Sequence, residues 1–415
     1  MTTLNRRQFL AGAVGAGAAG AAGLVVARRG GGHDKPAVVP AAAAPTAQPV
    51  VSTQGILVLV GLYGGNDGLN TVIPMGHPDY LAGRPDLAYA PEQALPLADG
   101  LGLHPNLRRL KAQWDQGHLA VVRGVGYPEP SRSHFRSMDI WQSAVPQTVE
   151  RTGWLGRWLD RTGTDPMQAL AVNPNLPRAL VGKSKTGVSV PLGQFTLPGT
   201  PALSGALKTL SQAWPGEAEL AERAAAATGA LVQVQAALKE VREIAPSPAA
   251  GAEPLNPANA LAVQLDVVSR SIRAGVPTRV YTVNLNGFDT HGREKDVHAN
   301  LMALLDEGVG WFLASLNGDP RAGQVVVMTF SEFGRRVRAN GSGGTDHGAA
   351  APLFVAGPTV KGGFYGDNPS LTDLDDGDLK FTTDFRSVYA SVLDHVLGMD
   401  PKDVLGASFP DVGFV

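Results

Sequence analysis

No cysteine occurs anywhere in the 415 residues. That excludes disulfides, zinc–thiolate sites, iron–sulfur clusters and cysteine nucleophiles. Any metal must therefore be held by His, Asp, Glu, Asn, a backbone carbonyl or water. A strong charge of one sign is lacking as well. The formal net charge is −2, whereas phosphate-backbone binding normally shows as a basic balance, so nucleic acid is not an expected partner. Beyond the amino terminus no apolar run is long enough to cross a bilayer, so no permanent span is expected. What the chain does have is 44% hydrophobic and 17% charged residues, ample for a large core in one big domain or two smaller ones. Its 51 glycines and 31 prolines imply many loops around that core.

The first residues read as an address. Arg6-Arg7-Gln8-Phe9-Leu10 precedes a Gly/Ala-rich apolar run from Ala11 to Ala27. An arginine pair followed by Phe-Leu and such a run resembles a twin-arginine export signal, with Val25-x-Ala27 as the cleavage site. The run is short and weakly apolar for a hydrocarbon core of about 30 Å. Residues 1–27 are therefore expected to be a signal peptide, and residues 28–54, rich in Ala, Pro and Gly, a disordered tether.

The mature chain alternates apolar strands with helices. Ile56–Leu62 is a short continuous apolar run, as a buried parallel strand requires, and Leu119–Val125, Arg279–Leu285, Val325–Thr329 and Leu353–Ala356 also read as strands. Helical spacing is present in His104–Gly117, around Ser133–Ala144, from about Pro257 to Ala274, in the segment HANLMALLDEGVGWFLASL and in Phe385–Leu397. The pattern predicts a mostly parallel sheet covered on both faces. Residues of about 198–255, rich in Ala, Glu, Leu and Gln, predict a helical insertion or lid. No internal repeat is present.

Four strand ends carry polar residues that an apolar sheet does not need. They are Asn66/Asp67, Ser131/Ser133/His134, Asp289/His291, and Glu332 with Asp346/His347. The carboxyl end of such strands is where open α/β sheets build active sites. Carboxylates and imidazoles meeting from separate loops suit divalent metals, and two metals about 4 Å apart would clamp a phosphoryl or sulfuryl group. A serine opening a helix sits where the dipole and free amides favour an anion. Arg132 or Arg136 is expected to hold the remaining substrate oxygens. The bland roles are a turn for Asp67, a helix cap for Ser133 and a structural ring for His134 and His104. His298 is expected at the surface or behind the ligands.

Taken in order, GLYGGNDGLNTVIP, RSHFRSMDIWQSA, GFDTHG and MTFSEFGRRVRANGSGGTDHGAAAPLFVAGPTVKGGFYG resemble the bacterial family DUF1501, which is similar to the alkaline phosphatase and sulfatase superfamily. The resemblance implies a three-layer α/β/α sandwich of alkaline phosphatase type over residues 55–415. It also implies one or two divalent metals (zinc, manganese, iron or calcium) and a Ser, Thr or formylglycine nucleophile. Without cysteine, a cysteine-derived formylglycine is excluded, which lowers sulfatase relative to phosphatase. By position, Asp67, Asp289, His291, Glu332, Asp346 and His347 would supply metal ligands. Ser133, with Ser131 as second candidate, would be the nucleophile, assisted by Arg132 and His134.

One departure stands out. Where the superfamily has Asp-His after a strand like VVVMTFS, this chain has Glu332-Phe333. Either Asp346-His347 is that pair displaced by a loop, or Glu332 is a ligand, His347 is the late ligand and one His is missing. Strand-end position favours the second.

The expected function is thus an exported metal-dependent hydrolase acting on small-molecule or glycan phosphate or sulfate esters, with Ser or an activated water as nucleophile. The alternative is a non-catalytic member of the fold serving as an envelope-associated binding protein. Its expected partners are the ester and the twin-arginine export machinery.

Overall fold

A computed structural model of the chain describes residues 55–163, 165–192 and 254–415, with the single residues 229 and 241. The predicted signal peptide, the predicted tether and almost all of the predicted insertion lie outside the described residues. The described residues 55–163, 165–192 and 254–415 belong to one compact unit, which holds the elements below.

The central sheet has nine strands. They are β1 (Ile56–Tyr63), β2 (Leu119–Gly126), β3 (Ala169–Ala171), β4 (Val188–Ser189), β5 (Val280–Asn286), β6 (Val325–Phe330), β7 (Ala351–Ala356), β8 (Gly363–Tyr365) and β9 (Thr383–Asp384). Their spatial order is β8-β2-β7-β6-β1-β5-β3-β4, with β9 also paired to β2. All neighbouring pairs are parallel except those made by β7, which runs antiparallel to β2 and β6. The fold is therefore the α/β sandwich with a mostly parallel sheet that the alternation predicts. Each predicted strand is present: β1, β2, β6 and β7 are longer than expected by one or two residues at one end, and β5 is shifted by one residue.

The central strands are apolar throughout because both faces are covered. Ile56–Leu62 of β1 is buried along its whole length. Leu57 and Leu59 join a core with Trp141 of α4 (His134–Ser143), Trp154 and Trp158 of α5 (Trp154–Arg161), and Val388 and Tyr389 of α8 (Phe385–Ser391). Val58 and Val60 alternate to the opposite face. There α6 (Ala260–Arg273) packs on β5, and α7 (Glu294–Ser315) packs on α6 and on α3 (Arg108–Asp115). The last predicted helix is α-helical only to Ser391 and continues as one wide turn, Val392–Val396. Two short helices follow β1: α1 (Gly68–Thr71) and α2 (Pro78–Gly83). No helix among the described residues is long and apolar enough to cross a membrane.

Candidate metal centre

The carboxyl ends of β1, β5 and β6 bring three loops together, and the start of α4 meets them. Their approach depends on Gly64 and Gly65, which hold φ of +121° and +82°. A Cβ on Gly64 would lie 2.3 Å from the Asp289 amide nitrogen, and one on Gly65 would lie 2.4 Å from the Phe333 ring. Glycine is the residue that tolerates both the conformation and the contact.

Asp289 is the hub. Its Oδ1 lies 3.0 Å from His347 Nε2 and 3.0 Å from His291 Nε2, and it accepts from Arg335 Nη2 at 2.9 Å. Its Oδ2 lies 3.4 Å from His134 Nε2. The two ring nitrogens of His291 and His347 are 3.0 Å apart. Burial opposes ionisation of Asp289, but its contacts with the His347 ring and the Arg335 guanidinium outweigh it and hold its carboxyl down at about 2. Its side chain is 48% exposed, so the group stays open to solvent.

The other nitrogen of each ring is already committed. His134 Nδ1 meets Glu332 Oε1 at 2.8 Å, His347 Nδ1 meets the Arg132 carbonyl at 2.8 Å, and His291 Nδ1 meets Asp346 Oδ1 at 3.3 Å. All three partners are acceptors, so a ring holding one proton would place it on Nδ1 and turn a bare Nε2 toward Asp289. Lone pairs then face lone pairs and a carboxylate, and His134 Nε2 is buried with no hydrogen-bond partner. Several adjacent imidazolium ions would repel one another. One divalent cation would satisfy His134, Asp289 and His347 together. Ligand atoms about 2.0 Å from a tetrahedral ion lie about 3.3 Å apart, which matches the 3.0 to 3.4 Å found here. His134, Asp289 and His347 offer atoms all within 4.8 Å of one another. His291 joins through Asp289 and His347. The residues present fit a metal.

Phe333 has a definite place. It is buried, with ring centroids 4.9 Å from His134 and 4.5 Å from His347. It walls the two imidazoles instead of supplying a third.

The predicted ligands separate in the structure. Asp289, His291 and His347 converge. Glu332 stands behind His134, taking its Nδ1 proton and the Gly64 amide at 2.9 Å. Asp346 stands likewise behind His291 and is exposed. Such carboxylates fix the tautomer and orientation of ligating imidazoles. Asp67 turns inward to a 2.5 Å ion pair with Arg84, and both side chains are fully buried. The sequence expectation puts Asp67, Glu332 and Asp346 among direct ligands; in the structure each carboxylate faces a guanidinium or an imidazole nitrogen instead. His134, expected as a catalytic group, lies among the residues that could hold an ion. Its signal was present in its place at the start of α4, one residue from Ser133.

Arg132 requires correction too. Its guanidinium is clamped by Asp378 at 2.7 Å and Asp376 at 3.1 Å, and only its carbonyl reaches the cluster. Arg136 donates to the carbonyls of Pro146 and Thr148. Ser133 occupies the N-cap position of α4, yet its hydroxyl makes no cap bond and is exposed. The Ser131 hydroxyl accepts the Ser133 amide at 3.3 Å. His298 is buried, not at the surface, with Nε2 3.0 Å from Asn66 Oδ1. His104 is buried against the Tyr89 hydroxyl at 2.8 Å, as a structural ring should be.

The fold resembles several solved structures at low identity. It is similar to the C-terminal periplasmic domain of EcEptC from Escherichia coli, with TM-score 0.39, 9% identity, and coverage of 86% of this chain and 88% of that one. It is similar to the lipoteichoic acid synthase LtaP from Listeria monocytogenes, with TM-score 0.35, 8% identity, and coverage of 85% and 75%. A protein in the alkaline phosphatase superfamily from Vibrio parahaemolyticus gives TM-score 0.35, 9% identity, and coverage of 86% and 71%. No curated protein matches the sequence. Residues 117–408 match the family described as "Protein of unknown function (DUF1501)", a span that contains His134, Asp289, His291, Glu332, Arg335 and His347, and the chain belongs to that family.

Proposed function

We propose that the protein is an exported, metal-dependent hydrolase of phosphate or sulfate esters. The observation that carries this reading is the convergence of three Nδ1-tethered imidazoles on the half-exposed carboxylate of Asp289. His134, Asp289 and His347 would hold the ion, with His291 beside them. A divalent ion there would polarise a phosphoryl or sulfuryl oxygen as a Lewis acid.

The chain's own residues supply the rest. Ser133 presents a free hydroxyl at the amino end of the ten-residue helix α4, adjacent to ligand His134. There the helix amides favour an anionic group. Ser133 Oγ is the nucleophile in this reading: its bond to phosphorus or sulfur forms as the bond to the leaving alcohol breaks, the serine proton passes through solvent to that alcohol, and water then cleaves the serine ester and restores the hydroxyl. Glu332 and the Arg132 carbonyl keep the Nε2 atoms aimed inward, and Phe333 excludes water from one side of the rings.

The test is a panel of phosphate and sulfate esters, run on chelator-stripped protein reconstituted with zinc, manganese, iron or calcium. Ser133→Ala is expected to lower kcat by about a thousandfold or more while metal content is unchanged. Full activity in S133A would shift the attack to water. A metal-loaded protein that turns over no ester would favour the non-catalytic binding reading. That reading has one specific support, the commitment of the Arg132 guanidinium to Asp376 and Asp378.

Export belongs to the same proposal and is supported by Arg6-Arg7 and the apolar run after them. Arg6→Lys/Arg7→Lys is expected to leave the protein in the cytoplasm, read by cell fractionation. Unchanged export of that double variant would remove the twin-arginine reading.

A further inference from the structure

We propose that this site takes a single metal ion, and that the buried guanidinium of Arg335 is the fixed second cation that positions Asp289. The inference rests on the metal reading above and narrows it.

A second ion needs carboxylates of its own. The two best placed in sequence are spent. Asp67 is paired with Arg84 in full burial, and Glu332 accepts from Gly64 N and His134 Nδ1. Arg335 meanwhile sits against the hub with its side chain 0% exposed. Its Nε donates to the Gly65 carbonyl at 2.8 Å and its Nη1 to the Thr345 carbonyl at 2.8 Å. Its Nη2 donates to the Phe288 carbonyl at 2.8 Å, to Asp289 Oδ1 at 2.9 Å and to the Gly64 carbonyl. One planar fork thus ties the loop after β1, the loop after β5 and the strand carrying His347, and it fixes one oxygen of Asp289. A lysine has a single donor nitrogen and cannot span these acceptors.

Charge points the same way. Asp289, Glu332 and Asp346 face the cluster with one guanidinium among them. One divalent ion neutralises that set, whereas two would leave it two charges positive, with a guanidinium on the same carboxylate.

The experiment titrates the chelator-stripped full chain with Co2+ alone, following visible absorption and counting bound metal by elemental analysis. The expected end point is one Co2+ per chain. Arg335→Lys, which keeps the charge but loses the fork, is expected to bind one Co2+ about 10- to 100-fold more weakly and with an altered visible spectrum. A merely structural role would lower the melting temperature of the metal-free variant and leave Co2+ affinity and spectrum untouched. A second readout needs no variant: the Arg335 Nε resonance of 15N-labelled wild type should shift strongly when one paramagnetic Co2+ binds. Two Co2+ per chain would overturn the single-ion inference and leave the metal reading standing. No bound Co2+ would overturn the metal reading itself. An unshifted Nε resonance, or unchanged affinity and spectrum in R335K, would overturn the role given to Arg335.

Discussion

Replacing Asp289 with Asn is expected to abolish the proposed metal binding and, with it, the proposed hydrolysis. The substitution keeps the shape, and the amide oxygen can still accept from Arg335. Its NH2 group then stands in the Oδ2 place and faces His134 Nε2, which lies 3.4 Å from Oδ2. A donor replaces one metal-facing oxygen, and the ligand charge is lost. Losing an outer partner of a metal site costs about 10- to 100-fold in affinity, and losing the hub should cost more. Stability gives a second measure. A ligand at 100 times its Kd stabilises the fold by about 2.7 kcal/mol, so saturating metal should raise the melting temperature of the wild type and leave D289N unmoved. Elemental analysis and calorimetry with and without chelator would decide it. An equal content of metal in D289N would refute the placement of the ion on this carboxylate.

The second large effect lies deeper. Asp67 and Glu294 meet in the interior, and neither Asp67 Oδ1 nor Glu294 Oε1 has another partner. Burial opposes ionisation of Asp67, yet Arg84 and the Glu294 carboxyl hold it ionised well below the usual carboxylate range. Burial, followed by the Asp67 charge, pushes the Glu294 carboxyl far above that range, while Thr345 Oγ1 donates to its Oε2 at 2.6 Å. The folded pair therefore keeps one proton, on Glu294, that an unfolded chain releases above the ordinary value of 4.5. Protons bound only by the folded state make stability fall as pH rises. The loss begins just above pH 4.5 and continues until Glu294 itself ionises. Asp67 adds the opposite limb, losing its contribution as pH drops below its ordinary value of 3.8.

Glu294→Gln keeps a donor toward Asp67 without needing a proton. One proton corresponds to about 1.4 kcal/mol per pH unit, so between pH 6 and 8 the wild type should lose up to about 2.7 kcal/mol that E294Q retains. Denaturant unfolding of metal-free protein at those two pH values measures it. Parallel pH profiles for the two proteins would show that no proton is held at this pair.

Much of the architecture was legible before any coordinates. Strands buried on both faces must be apolar at every position, so Ile56–Leu62 and Val325–Thr329 declared themselves without context. The strand-end residues Asp289, His291 and His347 were legible for a related reason, because nothing in an apolar sheet requires them. The direction of β7 was not, since an apolar run reads the same parallel or antiparallel. Nor was the early end of the α-helix at Ser391.

Composition by itself determined that the chain has no thiol chemistry, no net basic charge and enough apolar mass for a large core. Local pattern determined which loops carry polar groups. Only the tertiary structure decided which of those groups come together around Asp289. Asp67, Glu332 and Asp346 have the same donor chemistry as Asp289, and no spacing distinguishes them. What separates them is which positive or N–H group reaches each first: Arg84 for Asp67, His134 for Glu332, His291 for Asp346. Those partners are 17, 198 and 55 residues away in sequence. The assignment of charge to a site is thus a long-range property. It is set by burial and hydrogen-bond geometry, whereas the strands that build the site are set by local hydrophobicity.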